Sequence, residues 1–247
     1  MRRVFLALLV PVAACGSARP APEAASFCNQ QVFDGSRFTV CSAPGGAVDL
    51  VAAAPGEQPV RRFDALEAKL GKRAASVAFA MNAGMFDLEG RPIGLAIVNG
   101  REVHAVNRRK GGGNFHLMPN GVFRVDVDGR AAVVTTEQWQ PSKSVRVATQ
   151  SGPMLVIDGK LHPAFDPDGT SRYIRNGVGI GPDDDALFVI SQDPVSLGKF
   201  ARFFRDSIKS KNALFFDGSV SALWDPANHR RDMTVPLGPM VVVYKPR

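Results

Sequence analysis

The chain has 247 residues, of which 45% are hydrophobic and 21% are charged, the composition of a globular protein. Its formal net charge is +7, to which Arg2 and Arg3 of the predicted signal contribute two, leaving +5. A basic surface outside the cytoplasm suits anionic glycans or lipid headgroups better than nucleic acid, and a charge that only keeps the surface solvated is the alternative. The aromatic spacing of nucleic-acid-binding modules is absent, so we expect no nucleic-acid partner. The 24 Gly and 18 Pro favour many turns and short strands.

The N-terminal segment resembles a bacterial lipoprotein signal. Arg2 and Arg3 precede an apolar run over residues 4–10, and small residues stand directly before Cys15. The run is shorter than the roughly 20 residues that a membrane-spanning helix needs. We therefore predict a lipoprotein signal peptide over residues 1–14, lipidation of Cys15, and export to the periplasmic or outer surface of the cell envelope. An ordinary signal peptide with an incidental Cys15 is the alternative.

A flexible tether and a disulfide-closed hairpin are predicted next. Residues 15–26 are rich in Ala, Pro and Ser, as flexible linkers are, and residues 27–247 are long enough for a single domain. Cys28 and Cys41 form an even pair for an oxidising compartment, and they flank two strand-like runs joined by Asp34-Gly35. We expect a structural disulfide between them, worth about 3 kcal/mol, with no metal or redox role.

Strand-like runs rich in Val, Ile and Phe recur along the rest of the chain, and Asn-Gly and Asp-Gly turns separate them. One helix is predicted over residues 64–70, ending at Gly71. A second is predicted from an N-cap at Asp193, through Pro194, to Ile208, with an aromatic face directed at the core. The sequence therefore predicts an α+β domain of layered mixed β-sheets with few helices. The strands are expected at residues 47–53, 76–81, 94–98, 121–127, 130–135, 145–149, 154–157, 186–191, 213–216, 220–224 and 239–244.

The familiar catalytic and metal-binding signatures are absent from the sequence. It contains no nucleophile elbow, no phosphate-binding loop and no zinc-binding helix motif, and its four His are dispersed. We predict no cofactor and no metal site. A divalent cation such as calcium stays open, since residues 166–169 and 183–185 look faintly like calcium loops without completing their spacing.

Four segments place polar groups and glycines where strands should end. In the first, Asn82 ends a hydrophobic run and Gly84 permits a positive φ or a close approach to a ligand. In the second, three cations and three glycines precede Asn114 and could cradle an anion, with a mobile hairpin loop as the alternative.

The other two segments carry the charged candidates. Ser151-Gly152 and Arg175 belong to the third, and a guanidinium can hold two phosphate oxygens at once. The fourth, Asp217-Gly218-Ser219, follows four apolar residues. A carboxylate there should have a perturbed pKa, which suits an acid, base or nucleophile. Taken alone, this segment is better explained as a hairpin turn.

Together these segments resemble the phosphodiester glycosidase family, and the similarity extends over residues 27–244. Residues 82–86 look like the family's Asn-Gly-Gly-Phe-Phe, and Asp217-Gly218-Ser219 stands for a longer Asp-Gly-Gly-Gly-Ser of animal members. The shorter loop leaves room for a different substrate. Other family motifs are matched by Asn114-Phe115, Ser151-Gly152, and Arg175 followed by Gly179.

The resemblance implies hydrolysis of the bond between a sugar's anomeric carbon and a phosphodiester oxygen, in a cell-envelope or exopolysaccharide glycan. It implies that Asp217 is the base or nucleophile and that Arg175 holds the phosphate. Asp87 or Glu89 is the weaker candidate for a second carboxylate. The residues expected to orient or contact the substrate are Asn82, Gly84, Asn114, Ser151, Gly152, Gly218 and Ser219.

Two other functions stay open at this point. One is a non-catalytic lipoprotein that binds an anionic envelope glycan in the same cleft. The other is a scaffold in which the glycines are only turns. Convergence of Asn82, Asn114, Ser151, Arg175 and Asp217 on one place would favour a site over a scaffold.

Overall fold

The computed structural model describes residues 26–43, 47–233 and 235–246. The predicted signal peptide, Cys15 and almost all of the tether lie outside these residues. Among the residues described, no helix has both the length and the apolar character needed to cross a membrane.

Seventeen strands are found in this part of the chain, most of them short and rich in β-branched or aromatic residues, as strand propensity favours. They are β1 (Cys28–Phe33), β2 (Ser36–Ala43), β3 (Val48–Val51), β4 (Val77–Asn82), β5 (Ala96–Val98), β6 (Arg101–His104), β7 (Gly121–Asp126), β8 (Ala131–Thr135), β9 (Val145–Ser151), β10 (Met154–Ile157), β11 (Lys160–Leu161), β12 (Asn176–Ile180), β13 (Ala186–Ser191), β14 (Ala213–Asp217), β15 (Leu223–Asp225), β16 (Arg230–Arg231) and β17 (Met240–Tyr244).

The strands form three sheets. Sheet A has the order β1-β2-β13-β12-β14-β10-β11, sheet B the order β16-β15-β4-β17-β3, and sheet C the order β6-β5-β9-β7-β8. The α+β class and the layered sheets predicted from the sequence are confirmed. The sequence predicted mixed sheets, with parallel as well as antiparallel pairs. Each strand pairing among the described residues is instead antiparallel.

The predicted hairpin and its disulfide are confirmed. Strands β1 and β2 pair with Cys28 directly opposite Cys41, and the two sulfurs are bonded. Asp34 and Gly35 both have positive φ, which is what a tight two-residue hairpin turn requires. The disulfide fixes the edge of sheet A.

The first helix, α1 (Phe63–Leu70), agrees with the prediction and is followed by Gly71 with positive φ. The predicted start of the second helix was wrong. Helix α2 (Leu197–Arg202) begins three residues after Pro194 and is capped by Ser196, whose hydroxyl accepts from Lys199 N at 3.1 Å. It continues as a π-helical turn over Phe203–Ser207.

Asp193 has another role, which explains the error. Its carboxylate accepts from the backbone N–H and the guanidinium of Arg37, the latter at 2.7 Å. Ser is as good an N-cap as Asp, and the long-range pairing of Asp193 with β2 leaves Ser196 to cap the helix.

Two hydrophobic cores cover the two faces of sheet A. On one face, Phe188 lies at the centre of the three sheets, 5.6 Å from Phe79 of sheet B and 5.4 Å from Phe123 of sheet C, measured between ring centroids. On the other face, helix α2 and its π-helical turn pack, with Phe203 4.1 Å from Phe38. Strands buried on both faces explain the continuous apolar run before Asp217.

Candidate active site

The candidate site lies where β4, β12 and β14 end or begin. Asn82 is the last residue of β4, Asn176 the first of β12, and Asp217 the last of β14. Asn176 pairs with Asp217, but the next pair is Gly177 with Phe215, so Phe216 is skipped and the strand bulges there. Bulges re-aim side chains and are common beside active sites.

Two side chains satisfy the backbone groups around this bulge. The hydroxyl of Ser151 donates to Phe216 O at 2.9 Å, and the N–H of Asp217 donates to Asn176 Oδ1 at 3.1 Å. Both side chains are fully buried. Unpaired buried backbone groups would each be costly, so Ser151 and Asn176 stabilise the irregular backbone that presents Asp217.

The side chain of Asn82 joins sheets A and B at this point. Its Oδ1 accepts from Asn176 Nδ2 and from Ala222 N, both at 2.9 Å, and its Nδ2 donates to Val220 O. Asn176 Nδ2 also donates to Asn82 O at 2.7 Å. Because its amide is buried and bonded through both its oxygen and its nitrogen, Asn82 holds the 217–222 segment against β4.

The carboxylate of Asp217 is held asymmetrically. Its Oδ1 accepts from the backbone N–H of Gly218, Ser219 and Val220 at 2.6, 2.8 and 3.1 Å. Its Oδ2 accepts no hydrogen bond from the described residues. Burial raises the pKa of Asp217, and the three backbone donors and Arg175 oppose that rise without cancelling it. One oxygen is therefore fixed in place while the other is available for chemistry.

Arg175 is almost completely buried, with 2% of its surface exposed. Its Nε donates to Val195 O at 2.8 Å, and its Nη2 donates to Ser171 O at 2.9 Å. Burial lowers the pKa of Arg175 to about 10, with Tyr173 and Asp217 acting in the opposite direction. The guanidinium therefore stays charged at neutral pH.

The third nitrogen of this guanidinium has no such partner. Nη1 donates to none of the described residues, and it lies beside Gly218, where a Cβ would stand 2.7 Å from it. Arg175 and Asp217 form no ion pair within 4 Å, although each carries its charge close to the other. A buried cation with one unengaged nitrogen and a carboxylate with one unengaged oxygen thus lie in the same site, which is an arrangement suited to an anionic ligand.

Two of the three glycines predicted to contact the substrate have packing explanations, and the third, Gly218, lies against Arg175. Gly84 is buried with φ 99°, and a Cβ there would meet Thr149 Oγ1 at 2.7 Å. At Gly152 a Cβ would meet Asn120 Cβ at 2.5 Å. Both positions require glycine for close approach of neighbouring protein segments.

The remaining predicted residues are exposed. Ser219 is exposed with its N–H on Asp217 Oδ1, and Asn114 is exposed at the start of a short 3₁₀ turn, Asn114–His116. Asp87 accepts from the N–H groups of Glu89 and Arg91 in an exposed turn, and Glu89 pairs with Arg91 at 3.2 Å. The structure thus brings Asn82, Ser151, Arg175 and Asp217 together around the ends of β4, β12 and β14. Among the described residues, neither Asn114, Asp87 nor Glu89 forms a side-chain hydrogen bond to any of these four.

Two residues of the site were missed from the sequence. Asn176 follows Arg175 directly, and its place at the first position of a strand gives no hint of the bulge opposite. Tyr173 is 52% exposed, and its ring lies 5.4 Å from the Arg175 guanidinium. Tyr173 could have been found from the sequence, because residues two apart in an extended segment lie on the same face, and Tyr173 is two residues before Arg175.

No group of three or more His, Cys, Asp or Glu suited to a metal ion occurs among the residues described. The four predicted candidates that cluster, Asn82, Ser151, Arg175 and Asp217, include a single carboxylate. The geometry at hand is therefore that of hydrogen-bond donors and one carboxylate.

Three solved structures share this fold. The catalytic domain of zebrafish N-acetylglucosamine-1-phosphodiester alpha-N-acetylglucosaminidase, auto-inhibited by its pro-peptide, has a TM-score of 0.62 and 15% identity, over 90% of this chain and 82% of that one. A hypothetical protein from Synechocystis has a TM-score of 0.58 and 13% identity, over 89% and 61%. A putative exported protein from Burkholderia pseudomallei K96243 has 0.50 and 12%, over 85% and 74%.

The sequence comparisons are more specific. The uncharacterized protein YigE of Escherichia coli K12 is 37% identical over 148 residues, which are 60% of this chain and 58% of that protein. The chain therefore spans less than two thirds of this relative's length. The sequence profile of the phosphodiester glycosidases matches residues 75–244, a range that contains every clustered site residue. The chain belongs to the phosphodiester glycosidase family.

Proposed function

We propose that this protein hydrolyses a glycosyl phosphodiester, the bond between a sugar's anomeric carbon and a phosphodiester oxygen. Family membership supports a glycosidase-type hydrolase. The observation that carries the proposal is the pairing of a buried, positively charged Arg175, whose Nη1 is unengaged, with a buried Asp217, whose Oδ2 is unengaged. The first suits a phosphate, and the second suits the attack or the activation of water.

Each group has a distinct part in this proposed reaction. The phosphate monoester on the anomeric carbon is already a good leaving group, so Arg175 needs only to stabilise the charge that develops on it as the C–O bond breaks. Asp217 either attacks the anomeric carbon or takes a proton from the water that does. The products are a sugar with a free anomeric hydroxyl and a phosphate monoester. Buried Asn82 and Ser151 serve by holding the backbone around Asp217.

The natural substrate is proposed to be a cell-envelope or exopolysaccharide glycan. The zebrafish protein that shares the fold is named for an N-acetylglucosamine-1-phosphodiester. In this chain the Asp217-Gly218-Ser219 loop is short, which supports a different sugar or aglycone. The Cys28–Cys41 disulfide supports an oxidising compartment outside the cytoplasm.

A lipid on Cys15 is proposed to anchor the protein to the envelope membrane. The signal-like residues 1–14 support this proposal. Expression of the full chain and of Cys15→Ser, followed by membrane fractionation and labelling with a fatty-acid probe, tests it. We expect label and membrane association in the full chain and neither in the variant; equal labelling of both would contradict the anchor.

Hydrolysis is tested with the methyl diester of N-acetylglucosamine 1-phosphate and related sugar 1-phosphate diesters, by measuring release of free reducing sugar. Asp217→Asn keeps the shape of the side chain but removes the base or nucleophile, and is expected to abolish release. The matched control is Asp126→Asn, which changes a buried carboxylate paired with Arg124 in sheet C and should leave release intact.

A specific observation also favours a non-catalytic glycan-binding protein as the second candidate. Three backbone N–H groups on Asp217 Oδ1 form a turn that stabilises the loop without any ligand. Binding of the diester by the unmodified protein, measured by calorimetry, without release of sugar would favour this candidate. Retention of full hydrolysis by Asp217→Asn would overturn the role of Asp217.

A further inference from the structure

The bulge in β14 leaves Asp217 without a regular backbone acceptor. In an uninterrupted antiparallel ladder, Asn176 would pair with Phe216, because Gly177 pairs with Phe215. The extra residue brings Asp217 opposite Asn176 instead. The Asp217 N–H then finds its acceptor in a side chain, Asn176 Oδ1 at 3.1 Å.

The other end of the Asn176 amide binds Asn82. Its Nδ2 donates to Asn82 O at 2.7 Å and to Asn82 Oδ1 at 2.9 Å, and Asn176 is fully buried. A primary amide can accept and donate at once, whereas a Ser hydroxyl is too short to reach both partners and a Leu provides neither. The Ser221 hydroxyl adds a further contact, 3.3 Å from Asn176 Oδ1.

We infer that Asn176 is a positioning residue, which fixes the backbone of Asp217 in sheet A to Asn82 in sheet B so that the Asp217 carboxylate keeps one orientation. This inference rests on the proposed hydrolytic role of Asp217. Asn176 acts through Asp217, because its amide is turned toward Asn82 and the Asp217 N–H.

Two measurements on Asn176→Ala test the inference. The first needs no substrate: hydrogen exchange of the Asp217 amide, followed by NMR. Loss of the acceptor is expected to speed exchange at Asp217 at least about tenfold, while Leu214 and Phe215 in the same strand keep their protection. The second is hydrolysis of the sugar 1-phosphate diester, where kcat is expected to fall at least about tenfold with KM unchanged within about twofold.

The matched control is Asn212→Ala. Asn212 directly precedes the first residue of β14, whereas Asp217 is the last residue of that strand. Asn212 Oδ1 accepts from Asp158 N at 3.0 Å, so this variant loses the same kind of bond far from Asp217. Exchange should quicken at Asp158 and stay unchanged at Asp217, and kcat should not change.

A second variant, Asn176→Asp, serves if Asn176→Ala does not fold. It keeps an acceptor for the Asp217 N–H but adds a negative charge beside Asp217. The acidic limb of the pH–rate profile is therefore expected to move to higher pH, as it should if residue 176 stays against Asp217.

The outcomes separate this inference from the proposed function. Unchanged Asp217 exchange in Asn176→Ala, or uniform loss of protection along all of β14, would overturn the positioning role. An unchanged kcat in folded Asn176→Ala, or an unmoved acidic limb in folded Asn176→Asp, would overturn it as well. Absence of hydrolysis by the unmodified protein, together with faster Asp217 exchange in Asn176→Ala, would instead overturn the proposed function and leave the positioning of Asp217 supported.

Discussion

At the scale of single residues, Arg175 and Asp217 are two buried opposite charges that form no direct ion pair with each other. Arg175 and Asp217 are 2% and 8% exposed, and no guanidinium nitrogen lies within 4 Å of a carboxylate oxygen of Asp217. Desolvation makes such groups costly unless they are paired, and here backbone groups hold them apart instead. Keeping these opposite charges apart destabilises the fold but leaves Nη1 of Arg175 and Oδ2 of Asp217 available to a ligand. Such an arrangement is typical of an active site.

The raised pKa of Asp217 sets the pH dependence of activity. The proposed reaction needs the ionised carboxylate, so activity falls as pH drops through the pKa of Asp217. Because burial raises that pKa above its ordinary value, the loss should begin at a higher pH than for an exposed Asp. A profile of kcat/KM against pH measures this acidic limb. A limb at or below the position for an exposed Asp would contradict the buried environment.

Replacing Arg175 by Lys tests the geometry of the cation. A lysine keeps one charge but loses the planar fork that donates to Val195 O and Ser171 O while leaving Nη1 free. We expect kcat/KM for the diester to fall about 100-fold, as when one transition-state donor is removed. The control is Arg124→Lys at the Asp126 ion pair in sheet C, which should retain activity. Equal activity of Arg175→Lys would show that charge alone suffices.

At the scale of elements, periodicity and turn residues predicted most of the fold. Strands β10 and β13 have the predicted bounds, and the disulfide hairpin is as expected. Burial on both faces gave these strands continuous apolar runs that are easily recognised. The start of α2 was missed because a long-range contact with Arg37 takes Asp193 away from the helix.

The cap of α2 gives a test at this scale. Ser196→Ala removes the oxygen that accepts from Lys199 N, and the free energy of unfolding should fall by about 1 kcal/mol. Asp193→Ala should cost less, because its partner Arg37 is exposed. Urea denaturation of both variants measures the difference. A larger loss for Asp193→Ala would place the cap at the position first predicted.

The candidate site shows the limit of prediction from sequence. Asp217 could be recognised because it follows an apolar run, and Arg175 because a guanidinium suits a phosphate and its spacing to Gly179 matches a family motif. Asn176 could not, because its importance comes from a bulge that depends on the pairing of β12 with β14. The packing role of Gly84 likewise depends on Thr149, which is distant in sequence. Such long-range geometry is invisible until the sheets are assembled.

At the scale of the whole molecule, the disulfide is the one covalent cross-link within the described residues. It closes a short loop, with Cys28 and Cys41 separated by 13 residues. Replacing both by Ser should lower the free energy of unfolding by about 3 kcal/mol, mainly by freeing the unfolded chain. Thermal or urea unfolding measures the loss. The hairpin lies at the edge of sheet A, and β13 and β12 separate it from the strand that carries Asp217. Loss of specific activity in the folded variant would therefore contradict this purely structural role.

The central claim is that water is added at the anomeric carbon of a glycosyl phosphodiester. Hydrolysis of the diester in ¹⁸O-labelled water, with mass spectrometry of both products, identifies the bond that breaks. Cleavage of the C–O bond puts the label in the free sugar and leaves the phosphate monoester unlabelled, which is the predicted result. Label in the phosphate, or no hydrolysis of any sugar 1-phosphate diester by the unmodified protein, would contradict the account.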